Sequence, residues 1–126
     1  MTKHLAVIIE DQQLLGEAFS DALEMIGFQT HLIGDGRTAM EQLGTLTPAL
    51  IILDMNLPHV SGHYILRHLH ADVRLSPVPV IITTANSILA DAVKRELRGQ
   101  DHLLIKPVRM SDLQQLAKTI LASRLS

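Results

Sequence analysis

The stretch ALIILDMNLPHVSG, residues 49–62, places a carboxylate directly after an unbroken apolar run. Consecutive aliphatic residues without polar alternation are typical of a strand that is buried on both faces, as in a parallel sheet. The run ends at Asp54, and a turn-forming segment with Pro58 and Gly62 follows it. Open parallel sheets bind ligands at the carboxyl ends of their strands. The stretch therefore predicts a buried strand that holds Asp54 at the edge of a binding crevice.

The bulk composition favours a single domain without disulfides. A chain of 126 residues suits one domain, so we expect residues 1–126 to form one unit, and the absence of cysteine excludes a thiolate site. No apolar stretch has the length of a membrane span, and the short one near the start does not match a signal peptide. A formal net charge of -2 gives no field that attracts polyanions, so direct nucleic-acid binding is not favoured. We expect a cytoplasmic protein with no membrane partner.

Strand-like and helix-like patterns alternate five times along the chain. The apolar, strand-like runs lie at 5–10, 28–34, 49–54, 78–84 and 102–107. Apolar residues at helical spacing follow each run, at 14–26, 39–43, 61–73, 88–97 and 113–121. Asp35 is a candidate N-cap of the second helix, and Ser111 with Gln114 forms a candidate capping box for the last. The pattern predicts an α/β fold with a doubly wound, five-stranded parallel sheet and helices on both faces.

Polar residues cluster at the carboxyl ends of four of these strands. They are Glu10 and Asp11, Asp54, Thr83 and Thr84, and Lys106 followed by Pro107. These ends share one edge of a parallel sheet, so the side chains can converge on one crevice. Carboxylates packed together repel one another and need a cation, and an oxygen-only ligand set suits Mg²⁺. Lys106 supplies a complementary charge and, with Thr84, could hold the oxygens of a phosphoryl group.

A resemblance to a known family rests on five pieces of the sequence in this order: Glu10-Asp11, Asp54, the segment LDMNLPHVSG around it, Thr84-Ala85 and Lys106-Pro107. Together they resemble the receiver domain of two-component response regulators along essentially the whole chain. The resemblance implies a flavodoxin-like (βα)5 fold in which Asp54 accepts a phosphoryl group from a histidine kinase or phosphotransfer protein. It implies that Mg²⁺ is bound by Glu10, Asp11, Asp54 and the backbone carbonyl of Asn56.

Further implications of the resemblance concern the response to phosphorylation. Thr84 and Lys106 are expected to contact the phosphoryl oxygens, and the bond between Lys106 and Pro107 is expected to be cis. The aspartyl phosphate would switch partner binding, with a possible output partner at the face formed by helix 4, strand 5 and helix 5. Such a domain is not an enzyme in the usual sense, because it catalyses only its own phosphorylation and dephosphorylation.

Two positions depart from the family pattern. Leu103 lies three residues before Lys106, where the family usually has a Tyr or Phe that rotates inward when Thr84 moves. The site chemistry is unaffected, but the aromatic part of the output switch is missing. Ser61 occupies a position where an acid or Asn is common.

Two other classes of protein remain open from the sequence. A phosphohydrolase with an aspartyl-phosphate intermediate would need a second acid two residues after the nucleophile, and Asn56 occupies that position. A receiver-like interaction module without phosphorylation would not need the full set of acids, hydroxyl and lysine.

Two further patterns are interpreted conservatively. Residues 34–39, GDGRTA, match a dinucleotide-binding motif but follow the second strand and lack the expected acidic partner. His59 and His63 are separated by a turn and have no evident third ligand, so surface or partner-facing roles are favoured over a metal site.

Overall fold

The computed structural model describes residues 3–125, and in these residues the five predicted strands and five predicted helices are present. The strands are β1 (His4–Ile9), β2 (Phe28–Ile33), β3 (Leu50–Asp54), β4 (Val80–Thr84) and β5 (His102–Ile105). The helices are α1 (Gln13–Glu24), α2 (Gly36–Gln42), α3 (Gly62–Ala71), α4 (Ser87–Lys94) and α5 (Met110–Leu125). All strand pairs are parallel, and the order across the sheet is β2-β1-β3-β4-β5. The predicted doubly wound α/β fold is confirmed.

The register of the strands brings their carboxyl ends together. Ile9 of β1 pairs with Leu53 of β3, so Glu10 follows beside Asp54. Asp54 in turn pairs with Thr83 of β4. The chain leaves β1 toward β2 on one side and returns to β3 on the other, so the point where strand order reverses lies between β1 and β3. Crevices form at such points in open α/β sheets.

The hydrophobic core has two layers, one on each face of the sheet. Along β3, Leu50 and Ile52 pack on the face covered by α1 and α5, whereas Ile51 and Leu53 pack on the face covered by α2, α3 and α4. All four side chains are fully buried. The unbroken apolar run of β3 is thus explained by burial on both faces, and the strand is held rigidly behind Asp54.

Several predicted ends of helices and strands differ from the structure. Helix α4 ends at Lys94 rather than near Leu97, and β5 ends at Ile105, two residues before Pro107. The predicted capping box at Ser111 is wrong, because α5 begins at Met110 and Ser111 lies inside its first turn. Gln114 instead donates from its side-chain amide to the backbone carbonyl of Ala22 in α1, at 2.9 Å.

The predicted cap of α2 is confirmed. The carboxylate of Asp35 accepts a hydrogen bond of 2.7 Å from the backbone N–H of Arg37.

None of the helices in residues 3–125 combines the length and the apolar character that crossing a membrane requires.

Candidate functional site

Three carboxylates meet at the carboxyl edge of the sheet. Glu10 follows β1 directly, Asp11 comes next, and Asp54 is the last residue of β3. One carboxylate oxygen from each of the three lies within 4.8 Å of the others. Glu10 and Asp54 are only 1% and 2% exposed, whereas Asp11 is exposed. The sequence prediction that these three acids converge therefore agrees with their positions in the structure.

Lys106 enters this cluster from the end of β5. Its Nζ donates to Oε1 of Glu10 at 3.0 Å and lies 3.4 Å from Oδ2 of Asp54. One ammonium thus faces two buried carboxylates, with the carboxylate of Asp11 beside them. The cluster keeps an excess of negative charge, and its oxygen ligands are those that a hard divalent cation prefers. The residues therefore fit a magnesium site.

The protonation behaviour of the cluster reflects its burial. Burial raises the pKa of Glu10 to about 7, and the nearby charge of Asp54 adds to this effect, while the hydrogen bonds from Lys106 and from the backbone N–H of Gln12 oppose it. Burial tends to lower the pKa of Lys106, but the hydrogen bond to Glu10 and the charge of Asp54 outweigh it and raise that pKa. Lys106 is accordingly a firmly charged partner for the acids.

The turn after Asp54 fixes the orientation of its carboxylate. The backbone N–H of Asn56 donates to Oδ1 of Asp54 at 3.1 Å. At Gly62, where α3 begins, an added Cβ would lie 2.3 Å from the backbone carbonyl oxygen of Asp54. Only glycine allows this approach, so Gly62 lets the turn fold back tightly against the end of β3.

The same turn contains a strained residue. His59 has a φ of 71°, a value that non-glycine residues rarely adopt. The backbone N–H of Val60 donates to the carbonyl of Pro58 at 2.8 Å, which closes a three-residue turn around His59. The imidazole of His59 lies 3.9 Å from Oδ2 of Asp35.

Thr84 ends β4 with a fully buried side chain. Its hydroxyl oxygen accepts a hydrogen bond of 3.1 Å from the backbone N–H of Asn86, and its carbonyl accepts one of 2.8 Å from the N–H of Lys106. Asn86 also caps α4, because its side-chain oxygen accepts from the N–H groups of Ile88 and Leu89. Sequence reasoning missed Asn86, although an Asn directly before an apolar helical pattern is a recognised N-cap signal.

The remaining predicted residues lie close by on β5. The bond between Lys106 and Pro107 is cis. Leu103 pairs with Ile82 of β4, is half-buried, and packs against the core layer beneath α2, α3 and α4.

Neither of the conservatively interpreted patterns forms a ligand site. At Gly36 of the GDGRTA segment an added Cβ would lie 2.6 Å from the carbonyl oxygen of Val60, so this glycine lets the start of α2 pack closely against the turn that contains Val60. His63 contacts the carboxylate of Glu96, and the acids at the sheet edge form the one cluster of potential metal ligands in the described residues.

Comparison with known protein families agrees with this geometry. The family model of the response regulator receiver domain matches residues 6–118. The chain belongs to this family. It is a receiver domain of the kind found in two-component signalling, and its five parallel strands and five helices are those of the family fold.

Two curated proteins that are similar in sequence to this receiver domain are both longer than it. It is 33% identical to the Regulator of RpoS of Escherichia coli K12 over 116 residues, which are 92% of this chain and 33% of that protein. It is 34% identical to the DNA-binding response regulator MtrA of Mycobacterium tuberculosis H37Rv over 107 residues, which are 85% of this chain and 46% of that protein. The receiver domain thus spans between a third and about half of the length of these relatives.

Solved structures of receiver domains superpose closely. The receiver domain of a signal transduction histidine kinase from Syntrophus aciditrophicus is 31% identical with a TM-score of 0.85, covering 95% of this chain and 91% of that one. The receiver domain of the sensor histidine kinase PA1611 from Pseudomonas aeruginosa PAO1 is 25% identical with a TM-score of 0.81, covering 94% and 98% of the two chains. That structure contains a magnesium ion coordinated in its active-site cleft.

Proposed function

We propose that Asp54 is the phosphoacceptor of this receiver domain and takes a phosphoryl group from a histidine kinase or phosphotransfer protein. The observation that carries the proposal is the setting of the Asp54 carboxylate. It is almost completely buried, one oxygen accepts from the N–H of Asn56, and the other faces the ammonium of Lys106 at the mouth of the crevice.

The reaction requires alignment more than an unusually reactive nucleophile. A carboxylate oxygen of Asp54 forms a new bond to phosphorus while the N–P bond of a phosphohistidine breaks, and the electron pair of that bond stays on the departing imidazole. Phosphoryl transfer passes through a loose transition state, so positioning and neutralisation of the phosphoryl oxygens supply most of the catalysis. The rigid β3 strand and the N–H of Asn56 position the nucleophile. Lys106 supplies positive charge, and Thr84 supplies a hydroxyl for a phosphoryl oxygen.

Mg²⁺ is the cofactor that the acidic cluster fits. Glu10, Asp11 and Asp54 would hold it, with the backbone carbonyl of Asn56 as a further ligand. When bound, the ion supplies positive charge for the phosphoryl oxygens. Glu10 would bind the ion through its ionised carboxylate, a form that the hydrogen bonds from Lys106 and from the N–H of Gln12 favour and that burial opposes.

We further propose that residues 1–126 form a single cytoplasmic receiver domain whose aspartyl phosphate changes partner binding. The two core layers share one sheet, which supports a single unit. Ile88 on α4 and Ile105 on β5 are 79% and 49% exposed, which favours the face of α4, β5 and α5 as the output surface. A net charge of -2 argues against direct nucleic-acid binding by this domain.

Mass spectrometry of the intact protein tests the proposal. After treatment with acetyl phosphate and Mg²⁺, we expect the wild type to gain the mass of one phosphoryl group and Asp54→Asn to gain none, because the amide is a far weaker nucleophile. Asp91→Asn, which alters an exposed acid on α4, is the matched control and should be phosphorylated normally.

Other outcomes identify the alternative classes. Complete phosphorylation of Asp54→Asn would overturn the assignment of the nucleophile. Rapid release of phosphate from organic phosphates would indicate a hydrolase, and an unmodified wild type would indicate an interaction module without phosphorylation.

A further inference from the structure

Helix α4 is held only lightly by apolar packing. Of its eight residues, Ala90 and Val93 alone are buried, and Ile88 is 79% exposed. A helix that buries so little apolar surface depends strongly on polar contacts at its ends for its position. Helix α4 has such contacts at both ends.

The contact at the N-terminal end leads to the phosphoacceptor site. Asn86 caps the helix, and its own N–H donates to the hydroxyl oxygen of Thr84. Under the proposed function, this hydroxyl turns toward a phosphoryl oxygen. The N–H of Asn86 then loses its acceptor, so the first turn of α4 is released from the end of β4.

The contact at the other end fastens α4 to α3. The backbone N–H of Glu96 donates to the carbonyl of Val93 at 2.8 Å, which ties the turn containing Glu96 to the last turn of α4. Its carboxylate accepts from Nε of Arg67 at 3.1 Å and also contacts Nε2 of His63. His63 and Arg67 lie four residues apart and therefore on one face of α3. We name these three side chains the Glu96 bridge.

The charges of the Glu96 bridge favour the contacts between Glu96 and α3. Partial burial works to raise the pKa of Glu96, but the hydrogen bond from Arg67 and the charge of His63 outweigh it and lower that pKa. Glu96 is therefore ionised at neutral pH. The facing atoms, Nε2 of His63 and Oε2 of Glu96, are shielded from solvent. The two atoms contact each other and, within the described residues, neither makes a hydrogen bond to another group, so their separation would leave two buried polar atoms without any polar contact, which is costly.

We propose that the Glu96 bridge is a latch that holds α4 against α3 and opposes the displacement of α4 transmitted from Thr84 through Asn86. The restraint of α4 follows from the contacts alone, whereas its regulatory role rests on the proposed function. A two-state equilibrium responds only to interactions that differ between the states. Breaking the Glu96 bridge removes such an interaction from the resting state, so the state with α4 displaced becomes more populated. Phosphorylation then has to supply less free energy to reach that state.

Amide hydrogen exchange tests the restraint without any phosphoryl chemistry. We expect Glu96→Ala and Arg67→Ala to accelerate exchange in residues 87–94 by about twofold to fivefold, the range that partly exposed ion pairs support. Arg67 lies on α3, so its effect cannot arise from altered helix propensity in α4. Lys94→Ala is the control, because it removes a 3.8 Å pair with Asp91 that stays within α4. Unchanged exchange in both bridge variants overturns the latch.

Beryllofluoride, a phosphoryl mimic, tests the regulatory role. In the presence of Mg²⁺, we expect Glu96→Ala and Arg67→Ala to bind it about twofold to fivefold more tightly than the wild type, and Lys94→Ala to bind it equally. A responsive wild type with bridge variants of unchanged affinity overturns the regulatory role. A wild type that does not respond at all contradicts the proposed function instead, and the exchange experiment alone then decides whether the latch exists.

Discussion

Glu10 is the residue at which the electrostatic cost of the site is concentrated. Its carboxylate is 1% exposed and lies beside Asp54, and burial raises its pKa from 4.5 to about 7. The hydrogen bond from Lys106 relieves this cost only in part. A protein tolerates such a group where its charge is needed, and under the proposed function this charge would help to hold Mg²⁺.

Replacement of Glu10 should change how stability depends on pH. Because the folded state raises the pKa, protonated Glu10 is favoured in the folded protein, and this stabilisation is lost as the pH rises from about 4.5 through about 7. Without added metal, we expect the difference in the free energy of unfolding between Glu10→Gln and the wild type to shift in favour of Glu10→Gln as the pH rises from about 5 to about 8. The shift has an upper limit of about 3 kcal/mol.

Urea unfolding at several pH values measures this difference. Glu17→Gln, at an exposed position on α1, is the matched control and should show a small, nearly constant difference. A constant difference for Glu10→Gln as well would contradict the raised pKa.

At the scale of helices and strands, sequence predicted which polar residues meet at the sheet edge better than it predicted the helix ends. Asp54 and Lys106 come directly after apolar runs, so strand order alone brings them to one edge. Helix ends depend on contacts that are distant in sequence. The side chain of Gln114 is engaged by α1 rather than by its own helix, and the contact of Glu96 with α3 carries no local signal at all.

A further prediction concerns Leu103 on strand β5. Phosphorylation is expected to draw the Thr84 hydroxyl toward the site and to leave space that a large aromatic side chain would fill but Leu103 fills only partly. We therefore expect beryllofluoride to cause a smaller change on the face of α4, β5 and α5 in the wild type than in Leu103→Tyr.

Amide chemical shifts, recorded with and without beryllofluoride, measure this change residue by residue. Leu104→Tyr is a comparison variant on the same strand, because Leu104 packs on the opposite face of the sheet. Large shifts throughout residues 86–110 of the wild type, with no increase in Leu103→Tyr, would show that the missing aromatic is irrelevant.

For the whole molecule, the fold and the candidate metal site are linked through charge. The central strands β1 and β3 carry Glu10 and Asp54 at their ends, so repulsion between these carboxylates acts on the two strands that both core layers share. A cation that binds only the folded cluster relieves this repulsion. Its binding free energy then adds to the stability of the entire domain.

Thermal unfolding with and without Mg²⁺ therefore reports on the cluster. The expected gain is about 0.4 kcal/mol when the ion concentration equals its dissociation constant and about 2.7 kcal/mol at a hundredfold excess. Since protons compete with the ion for Glu10, the gain should shrink as the pH falls below about 7. Asp54→Asn should show a reduced gain because one ligand charge is lost, while Asp91→Asn should match the wild type. A melting midpoint that does not move at saturating Mg²⁺ would mean that Glu10, Asp11 and Asp54 do not bind the ion, however close their oxygens lie.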